Sequence, residues 1–277
     1  MRYSHDDEDE CMAAQQGQWA LILGASSGFG AAIARELARQ GYHIAGVHLD
    51  RRATMGEVEA VLADIRAAGV EARFFNINAA DEAKRAVVIA ELTGLLRNRG
   101  ESGRLRVLVH SLAFGALKPL VAAEGEMATA QHLTMTLEVM ANSLVYWTQG
   151  VIHNGLMEEG GRIFALTSAG GHRVWREYGI VSAAKAALEA HIRQLAVELA
   201  PLGITANAIQ AGVTDTPALR KVPSHDEMMA KSLANNPHGR LTTPRDVAAA
   251  LAVLALPGTA WITGNVIRAD GGEDLLG

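Results

Sequence analysis

From Trp19 to Ala269, short apolar runs alternate with longer segments of helical periodicity, and this alternation limits the folds open to the chain. The first run, WALILG, is followed by the helical pattern AAIARELARQG, which ends at Gly41. The later strand-like runs are HIAGVHL, VEARFFNIN, RVLVHS, GRIFALTS, ITANAI and GNVIRA. Strands that are apolar throughout and alternate with helices are typical of a parallel sheet covered on both faces. The sequence therefore predicts an α/β fold, with one doubly wound parallel sheet in a single domain.

The negative charge of the chain is concentrated at its start. The 277 residues carry a formal net charge of -5, and residues 1–10 contribute most of it, with five acids against Arg2. The remaining body is nearly neutral, so it lacks the basic surface that nucleic-acid binding requires. We interpret residues 1–16 as a solvated acidic tail, with a regulatory or docking segment as the alternative. Residues 17–277 are predicted to form the folded domain.

The cysteines, histidines and apolar segments exclude several kinds of site. Cys11 is the only cysteine, so the chain can form neither an internal disulfide nor a thiolate metal cluster. The ten histidines show no two-histidine zinc spacing, and we therefore expect no metal. The start has no basic segment before an apolar run, and no stretch of about 18 apolar residues occurs. We expect a soluble, cytoplasmic protein without a membrane partner.

The turn between the first strand and the first helix, GASSGFG, is rich in glycine. A helix N-terminus presents unpaired N–H groups and a positive dipole end, and both favour a phosphate. Glycines let the backbone turn sharply and approach a pyrophosphate closely. The motif indicates nucleotide binding, and a plain tight turn is the alternative. The candidate cofactor residues of this turn are Gly24, Ser26, Ser27, Gly28, Phe29 and Gly30.

The spacing in GASSGFG resembles that of the short-chain dehydrogenase/reductase family, and DGG at 270–272 resembles the ending of that family's last strand. The resemblance covers the chain from about Trp19 to Asp270. It implies a Rossmann-type fold, an NAD(P) cofactor and a homotetramer. The segment HSLAFG departs from the family's usual Asn-Asn-Ala-Gly, and enoyl reductases of the family commonly carry a Ser there. The further cofactor residues implied by position are Asn78 at the adenine, and Ser111, Leu112 and Ala113 at the ribose.

The end of the second strand reads VHLDRR, in the region where such proteins choose between NAD and NADP. An acid there accepts from the ribose 2′-hydroxyl, whereas an Arg pairs with a 2′-phosphate. The usual acid position is closest to His48, and Asp50 follows two residues later. Because Arg51 and Arg52 come next, we favour NADPH, with NADH possible. A solvated turn is the alternative for this charged segment.

The stretch YGIVSAAKAALEA lies in a predicted helix over Ser182–Ala200 and the residues before it. Most family members place a catalytic Tyr four residues before a Lys, but Val181 occupies that position relative to Lys185. Tyr178, seven residues before Lys185, resembles the pattern of enoyl-acyl-carrier-protein reductases. Ser168 stands where these enzymes often carry a second aromatic, which resembles a divergent and generally NADPH-dependent branch. The segment AGVTDTPAL resembles their pyrophosphate loop, and it contributes Gly212, Thr214 and Thr216.

This resemblance implies hydride transfer to the β-carbon of an enoyl thioester, carried by acyl carrier protein or CoA. Charge then develops on the thioester oxygen, which Tyr178 would stabilise. Lys185 would hold the nicotinamide ribose and influence Tyr178 electrostatically. Two alternatives remain open: a carbonyl reductase or alcohol dehydrogenase using Ser168 with Tyr178, and a catalytically degenerate nucleotide-binding sensor.

Residues at about 215–240 resemble the family's mobile substrate-binding segment. Apolar side chains there are candidates for an acyl tunnel, with a helical core stripe as the alternative. These are Leu219, Met228, Met229 and Leu233. Basic side chains could meet an acidic carrier protein, but a solvated face is the preferred interpretation. These are Arg220, Lys221, Lys231 and Arg240.

Deletion of residues 1–16 should leave the fold and turnover unchanged, because an acidic segment with few apolar side chains cannot order itself. Circular dichroism and steady-state kinetics of the truncated and full chains test this expectation. A large loss of activity on truncation would contradict the interpretation as a tail.

Overall fold

The computed structural model of the chain describes residues 17–97 and 99–276. The predicted acidic tail and Cys11 lie outside the described residues. Within them, parallel strands and helices alternate along the chain as the sequence pattern predicts.

Seven strands of the described residues form one sheet, in the order β3-β2-β1-β4-β5-β6-β7. Every neighbouring pair is parallel. The strands are β1 (Trp19–Leu23), β2 (His43–His48), β3 (Ala72–Asn76), β4 (Leu105–His110), β5 (Arg162–Ser168), β6 (Thr205–Ala211) and β7 (Val266–Ala269). This is the doubly wound Rossmann-type sheet that the sequence predicts.

Helices cover the sheet on both sides. They are α1 (Gly28–Arg39), α2 (Met55–Ala67), α3 (Glu82–Leu96), α4 (Ala130–Leu137), α5 (Ser143–His153), α6 (Gly179–Leu199), α7 (His225–Asn235) and α8 (Pro244–Leu254). A π-helical turn at Glu138–Asn142 joins α4 directly to α5. The α8 helix shows how local sequence sets an end: Thr243 caps the N3 backbone, Asp246 returns a bond to Thr243, and Pro244 occupies the first turn.

Side chains of β1 point alternately to two separate cores, and this explains why the strand is apolar throughout. Trp19, Leu21 and Leu23 pack on one face, and Ala20 and Ile22 pack on the other. The first face is covered by α3, α5 and α6, with Leu92, Trp147 and Leu188 among the contributing side chains. The second is covered by α1, α2 and α8, with Ile33, Val61 and Leu251 among them. Two-sided burial therefore produces the uninterrupted apolar run.

The helix that carries Lys185 was expected over Ser182–Ala200, but α6 runs from Gly179 to Leu199. Its Ala-rich sequence favours a helix. Since α6 begins one residue after Tyr178, this side chain is fixed by the helix start rather than by a long loop.

No helix within residues 17–97 and 99–276 is long and apolar enough to cross a membrane. The same described ranges contain no group of three or more His, Cys, Asp or Glu side chains that could hold a metal ion.

Replacing Gly30 by Ala should destabilise the fold by about 1–3 kcal/mol, the usual cost of overpacking. A Cβ at this position would overlap the carbonyl oxygen of Gly24, so α1 would have to move away from the turn that precedes it. Urea unfolding measures the change in free energy.

Gly94→Ala is the matched control, because no heavy atom lies within 4 Å of a Cβ built there. It should be stabilising by roughly 0.5–1 kcal/mol, since Ala favours a helix interior over Gly. Equal effects of the two substitutions would contradict the close approach at Gly30.

Candidate active site

A cleft of about 490 Å³ opens at the carboxyl edge of the sheet. Its walls come from the segments that follow β4, β5 and β6, and from parts of α6 and α7. In a doubly wound sheet, the crevice at this edge is where ligands bind. The predicted catalytic residues Ser168, Tyr178 and Lys185 all line it. The predicted cofactor residues that line it are Phe29, Ser111, Leu112, Ala113, Lys185, Gly212, Thr214 and Thr216.

The glycine-rich turn has the geometry that a pyrophosphate requires. Gly24 has φ +90°, and a Cβ there would overlap the carbonyl oxygen of Ser111. Ser27 is the N-cap of α1 but makes no capping hydrogen bond with its side chain, unlike Asp81 in front of α3. The first N–H groups of α1 therefore have no side-chain cap and remain available to an anion. These features fit a dinucleotide.

At the end of β2, Asp50 is held by its neighbours. Nδ1 of the buried His48 lies 2.9 Å from Asp50 Oδ2, and Thr54 donates to Asp50 Oδ1 at 2.8 Å. Burial acts to raise the pKa of Asp50, but hydrogen bonds from Ser26, Thr54 and His48 together hold this pKa below its usual value. The side chains that follow it, Arg51 and Arg52, are exposed.

Asn78 does not line the cleft. Its side-chain oxygen accepts from the Ala80 backbone N–H at 3.0 Å, in the turn that leads to α3. The sequence-based role of Asn78 at the adenine thus remains a prediction.

Tyr178 is placed by an unusual backbone. Glu177, directly before it, has φ +61°. Among the residues that the structure describes, it is the only non-glycine residue with a left-handed backbone conformation. The Tyr178 ring packs against Gly170, where a Cβ would lie 2.5 Å from the ring and 3.2 Å from Ser168 Oγ. Burial raises the pKa of Tyr178, and the neighbouring Ser168 hydroxyl acts in the opposite direction. Within the described chain, Ser168 Oγ has no hydrogen bond of ordinary geometry, so it remains available to a bound molecule.

Lys185 lies two turns into α6 and is buried. Its Nζ donates to the carbonyl oxygen of Leu166 at 2.6 Å. Burial lowers the pKa of Lys185 to about 8, against an opposing effect of the Glu189 carboxylate. Glu189 in turn accepts from Thr167 at 2.6 Å. The ammonium group is therefore held near the carboxyl end of β5, the strand whose last residue is Ser168.

Val181, in the position of the usual catalytic Tyr, belongs to an apolar wall. It packs with Met140 and Ala184, and both Val181 and Met140 line the cleft. A Tyr at this position would therefore have to displace packed side chains.

His110, the last residue of β4, is a buried group that sequence reasoning did not identify. Its Nε2 lies 2.8 Å from Ser143 Oγ, and Ser143 donates to the Val139 carbonyl at 2.9 Å. This arrangement directs the Nε2 proton to Ser143. Burial, and secondarily the charge of Lys185, lowers the pKa of His110 to about 3. His110 is thus neutral at pH 7, and Lys185 meets no second positive charge from it.

The predicted substrate segment is only partly in the cleft. Leu219 and Met228 line it, but the expected tunnel residues Met229 and Leu233 do not, because they lie on other faces of α7. A Met or Leu at helical spacing does not reveal which face is inward.

Two of the four predicted basic residues also line the cleft, namely Lys221 and Lys231. Arg220 instead pairs with Asp215, and Arg240 pairs with Asp246. Nζ of Lys231 lies 5.4 Å from the ring centroid of Trp175, a cation–π contact between α7 and the segment before Tyr178.

Several lining residues had no recognisable sequence signal. They are Leu117, Met140, Trp175 and Glu273. Each comes from a loop, from the π-helical turn or from the end of the chain, where periodicity does not predict proximity to the site.

Comparison with known proteins agrees with this architecture. A family model described as enoyl-(acyl carrier protein) reductase matches residues 24–273. The 1-cyclohexenylcarbonyl-CoA reductase of Streptomyces collinus is 31% identical over 266 residues, which cover 95% of this chain and 89% of that protein.

Two solved structures are similar over nearly the whole chain. An enoyl-[acyl-carrier-protein] reductase (NADH) from Aquifex aeolicus gives a TM-score of 0.81 over 95% of this chain and 99% of that one, and at 24% identity it shows the fold alone. A short chain dehydrogenase from Burkholderia cenocepacia in complex with NADP gives a TM-score of 0.77 at 28% identity, over 94% and 99% of the two chains. The protein is therefore an oxidoreductase of the short-chain dehydrogenase/reductase family, in its enoyl reductase-like group.

Proposed function

We propose that the protein is an NADPH-dependent reductase of enoyl thioesters. The observation that carries this proposal is the position of the hydroxyl groups in the cleft. Tyr178 and Ser168 line it together with Lys185, whereas the position of the family's usual Tyr is filled by Val181 in an apolar wall. The hydroxyl group proposed to stabilise the substrate oxygen thus belongs to Tyr178, the residue before α6, and this spacing from Lys185 resembles that of enoyl reductases.

The proposed chemistry divides between the cofactor and the side chains. When bound, the dinucleotide supplies a hydride for the β-carbon of the substrate. Electrons of the C=C bond would then move toward the thioester carbonyl, and the negative charge on its oxygen would be stabilised by the Tyr178 hydroxyl. A proton taken up from solvent at the α-carbon would complete the reduction. The raised pKa of Tyr178 keeps this hydroxyl protonated at neutral pH. Lys185 supplies a positive charge in the same cleft, where its Nζ donates to the Leu166 carbonyl of β5.

The cleft lining supports an acyl thioester as the substrate. Leu117, Met140, Val181 and Met228 give it apolar walls that can cover an acyl chain or ring. The name of the Streptomyces collinus relative, a reductase of a cyclic enoyl-CoA, points to the same substrate class. Either CoA or acyl carrier protein as the carrier fits the proposal.

Reduction of a carbonyl group is the second candidate. It is favoured by the Ser168 hydroxyl beside Tyr178, because such a pair can together bind a ketone oxygen. Oxidation of the reduced cofactor with crotonyl-CoA, and separately with acetoacetyl-CoA, distinguishes the two activities. Turnover with crotonyl-CoA alone supports the first proposal, and turnover with acetoacetyl-CoA alone supports the second.

Tyr178→Phe should lower kcat for crotonyl-CoA by roughly 100- to 1000-fold, the usual effect of losing one oxyanion donor. The change keeps the ring against Gly170 and removes only the hydroxyl. Tyr146→Phe is the matched control, since Tyr146 lies on α5 beside Arg85 and does not line the cleft. Near-parental enoyl reduction by Tyr178→Phe would contradict the assignment.

Two further variants separate the roles in this site. Lys185→Ala should raise KM for the dinucleotide as well as lower kcat. The activity of the parent should fall as pH rises through about 8, because Lys185 then loses its proton, and this fall should be absent from Lys185→Ala.

Val181→Tyr restores the majority spacing but should give no gain in enoyl reduction. Circular dichroism checks the fold of each variant.

The parent should prefer NADPH over NADH, and Arg51→Ala/Arg52→Ala should reduce this preference by roughly tenfold, the usual effect of losing charge-assisted hydrogen bonds. The Asp50 carboxylate oxygens are directed to His48 and Thr54, which are their hydrogen-bond partners. Arg66→Ala, on the exposed face of α2, controls for general charge removal. Ratios of kcat/KM measure the preference, and a strong parental preference for NADH would overturn the NADPH proposal.

A further inference from the structure

The turn that follows β7, at residues 270–274, is shaped by its own hydrogen bonds. Asp270 accepts from the backbone N–H groups of Gly272 at 2.9 Å and of Asp274 at 3.2 Å. Gly271 and Gly272 have φ of +64° and +82°, which glycine adopts without strain. The turn thereby holds two successive acids, Glu273 and Asp274, in fixed directions.

Glu273 connects two walls of the cleft, and its side chain also lines it. Its Oε2 accepts from the backbone N–H of Val213 at 3.0 Å, in the loop after β6. Its Oε1 accepts from the Ser232 hydroxyl at 3.0 Å, on α7. Glu273 and Ser232 are both buried, at 9% and 6% exposure. Two bonds of one buried carboxylate therefore link the proposed cofactor loop to the proposed substrate helix.

Packing around this link leaves little space. A Cβ on Gly212 would lie 2.8 Å from Glu273 Oε2. The buried Asn236, directly after α7, donates to the Asp270 carbonyl at 3.0 Å. The end of α7 is thus attached to the same turn at a second point.

The neighbouring Asp274 holds the opposite wall. Its Oδ2 lies 3.0 Å from His172 Nε2 and accepts from Gln210 at 2.9 Å, while its backbone carbonyl accepts from Arg173 at 2.8 Å. His172 and Arg173 belong to the segment between Ser168 and Tyr178. Residues 270–274 therefore contact both the segment after β5 and the loop and helix after β6.

We propose that Glu273 is a positioning residue, which fixes α7 against the loop after β6 and so sets the width of the entrance for the acyl group. The identity of that acyl group rests on the proposed function, whereas the attachment of α7 does not. A carboxylate suits this role because both of its partners, Val213 N–H and Ser232 O–H, are donors.

Methionine tests this carboxylate, because it is of similar size but has no accepting oxygen. Glu273→Met therefore removes both bonds, the one from Val213 and the one from Ser232. Ser232→Ala removes only the bond to α7, with the loss of a single hydroxyl, and the backbone N–H of Val213 stays in place.

The test combines amide hydrogen exchange of residues 225–235 with steady-state kinetics on the full chain. Glu273→Met and Ser232→Ala should each speed exchange in this segment by roughly two- to tenfold, the equivalent of one net hydrogen bond. KM for crotonyl-CoA should rise by a similar factor, with kcat nearly unchanged. The double variant should be little worse than Glu273→Met alone, because that variant already leaves Ser232 without its partner. Glu91→Met, which removes an exposed carboxylate paired with Arg73, is the matched control.

Unchanged exchange in both single variants, or effects that simply add in the double variant, would overturn the proposal. A fall in kcat with unchanged KM would also overturn it, because this would place Glu273 in the chemical step. If Glu273→Met does not fold, Ser232→Ala decides alone through the same exchange and kinetic measurements. If the parent does not reduce crotonyl-CoA, the proposed function fails, and hydrogen exchange still decides the role of Glu273.

Discussion

The parallel pairing of β1 with β4 is the constraint on which the site depends. β1 lies between β2 and β4, so the chain leaves β1 toward one edge of the sheet and returns on its other side. The segments after β1 and β4 consequently separate at the carboxyl edge and leave a crevice between them. The backbone N–H of Ser111 donates to the carbonyl of Leu23, which ties the two strand ends together at 2.9 Å. The cofactor assignments at Gly24 and Ser111 derive their positions from this junction.

Sequence patterns predicted the layers and the location of the site because burial and chain direction determine both. The apolar strands, the glycine-rich turn and the Tyr178–Lys185 spacing each carry a local signal with a physical cause. The inward face of α7 carries none, since Met228 and Met229 are chemically identical and only packing separates them. The start of α6 was misplaced for a related reason: Gly179 is a poor helix former, but tertiary contacts override that preference.

The electrostatics of the site follow from burial more than from ion pairing. Lys185 is almost fully enclosed, and its ammonium group is bonded to a backbone carbonyl rather than to a carboxylate. His110 responds to the same low-dielectric surroundings by remaining neutral. A ligand that brings hydroxyl groups to Lys185 would therefore meet an ammonium group that burial has already desolvated.

The contact of Lys231 with Trp175 has a spectroscopic consequence. The chain has four tryptophans, of which Trp19 and Trp147 are buried in the core and Trp261 is almost wholly exposed. Trp175 alone lines the cleft, with a cation near its ring. Emission from this indole changes when the ammonium group or the surrounding polarity changes, whereas the two core tryptophans keep a constant environment. The molecule thus carries an intrinsic fluorescent reporter at the entrance of its own cleft, and ligand entry can be followed without a label.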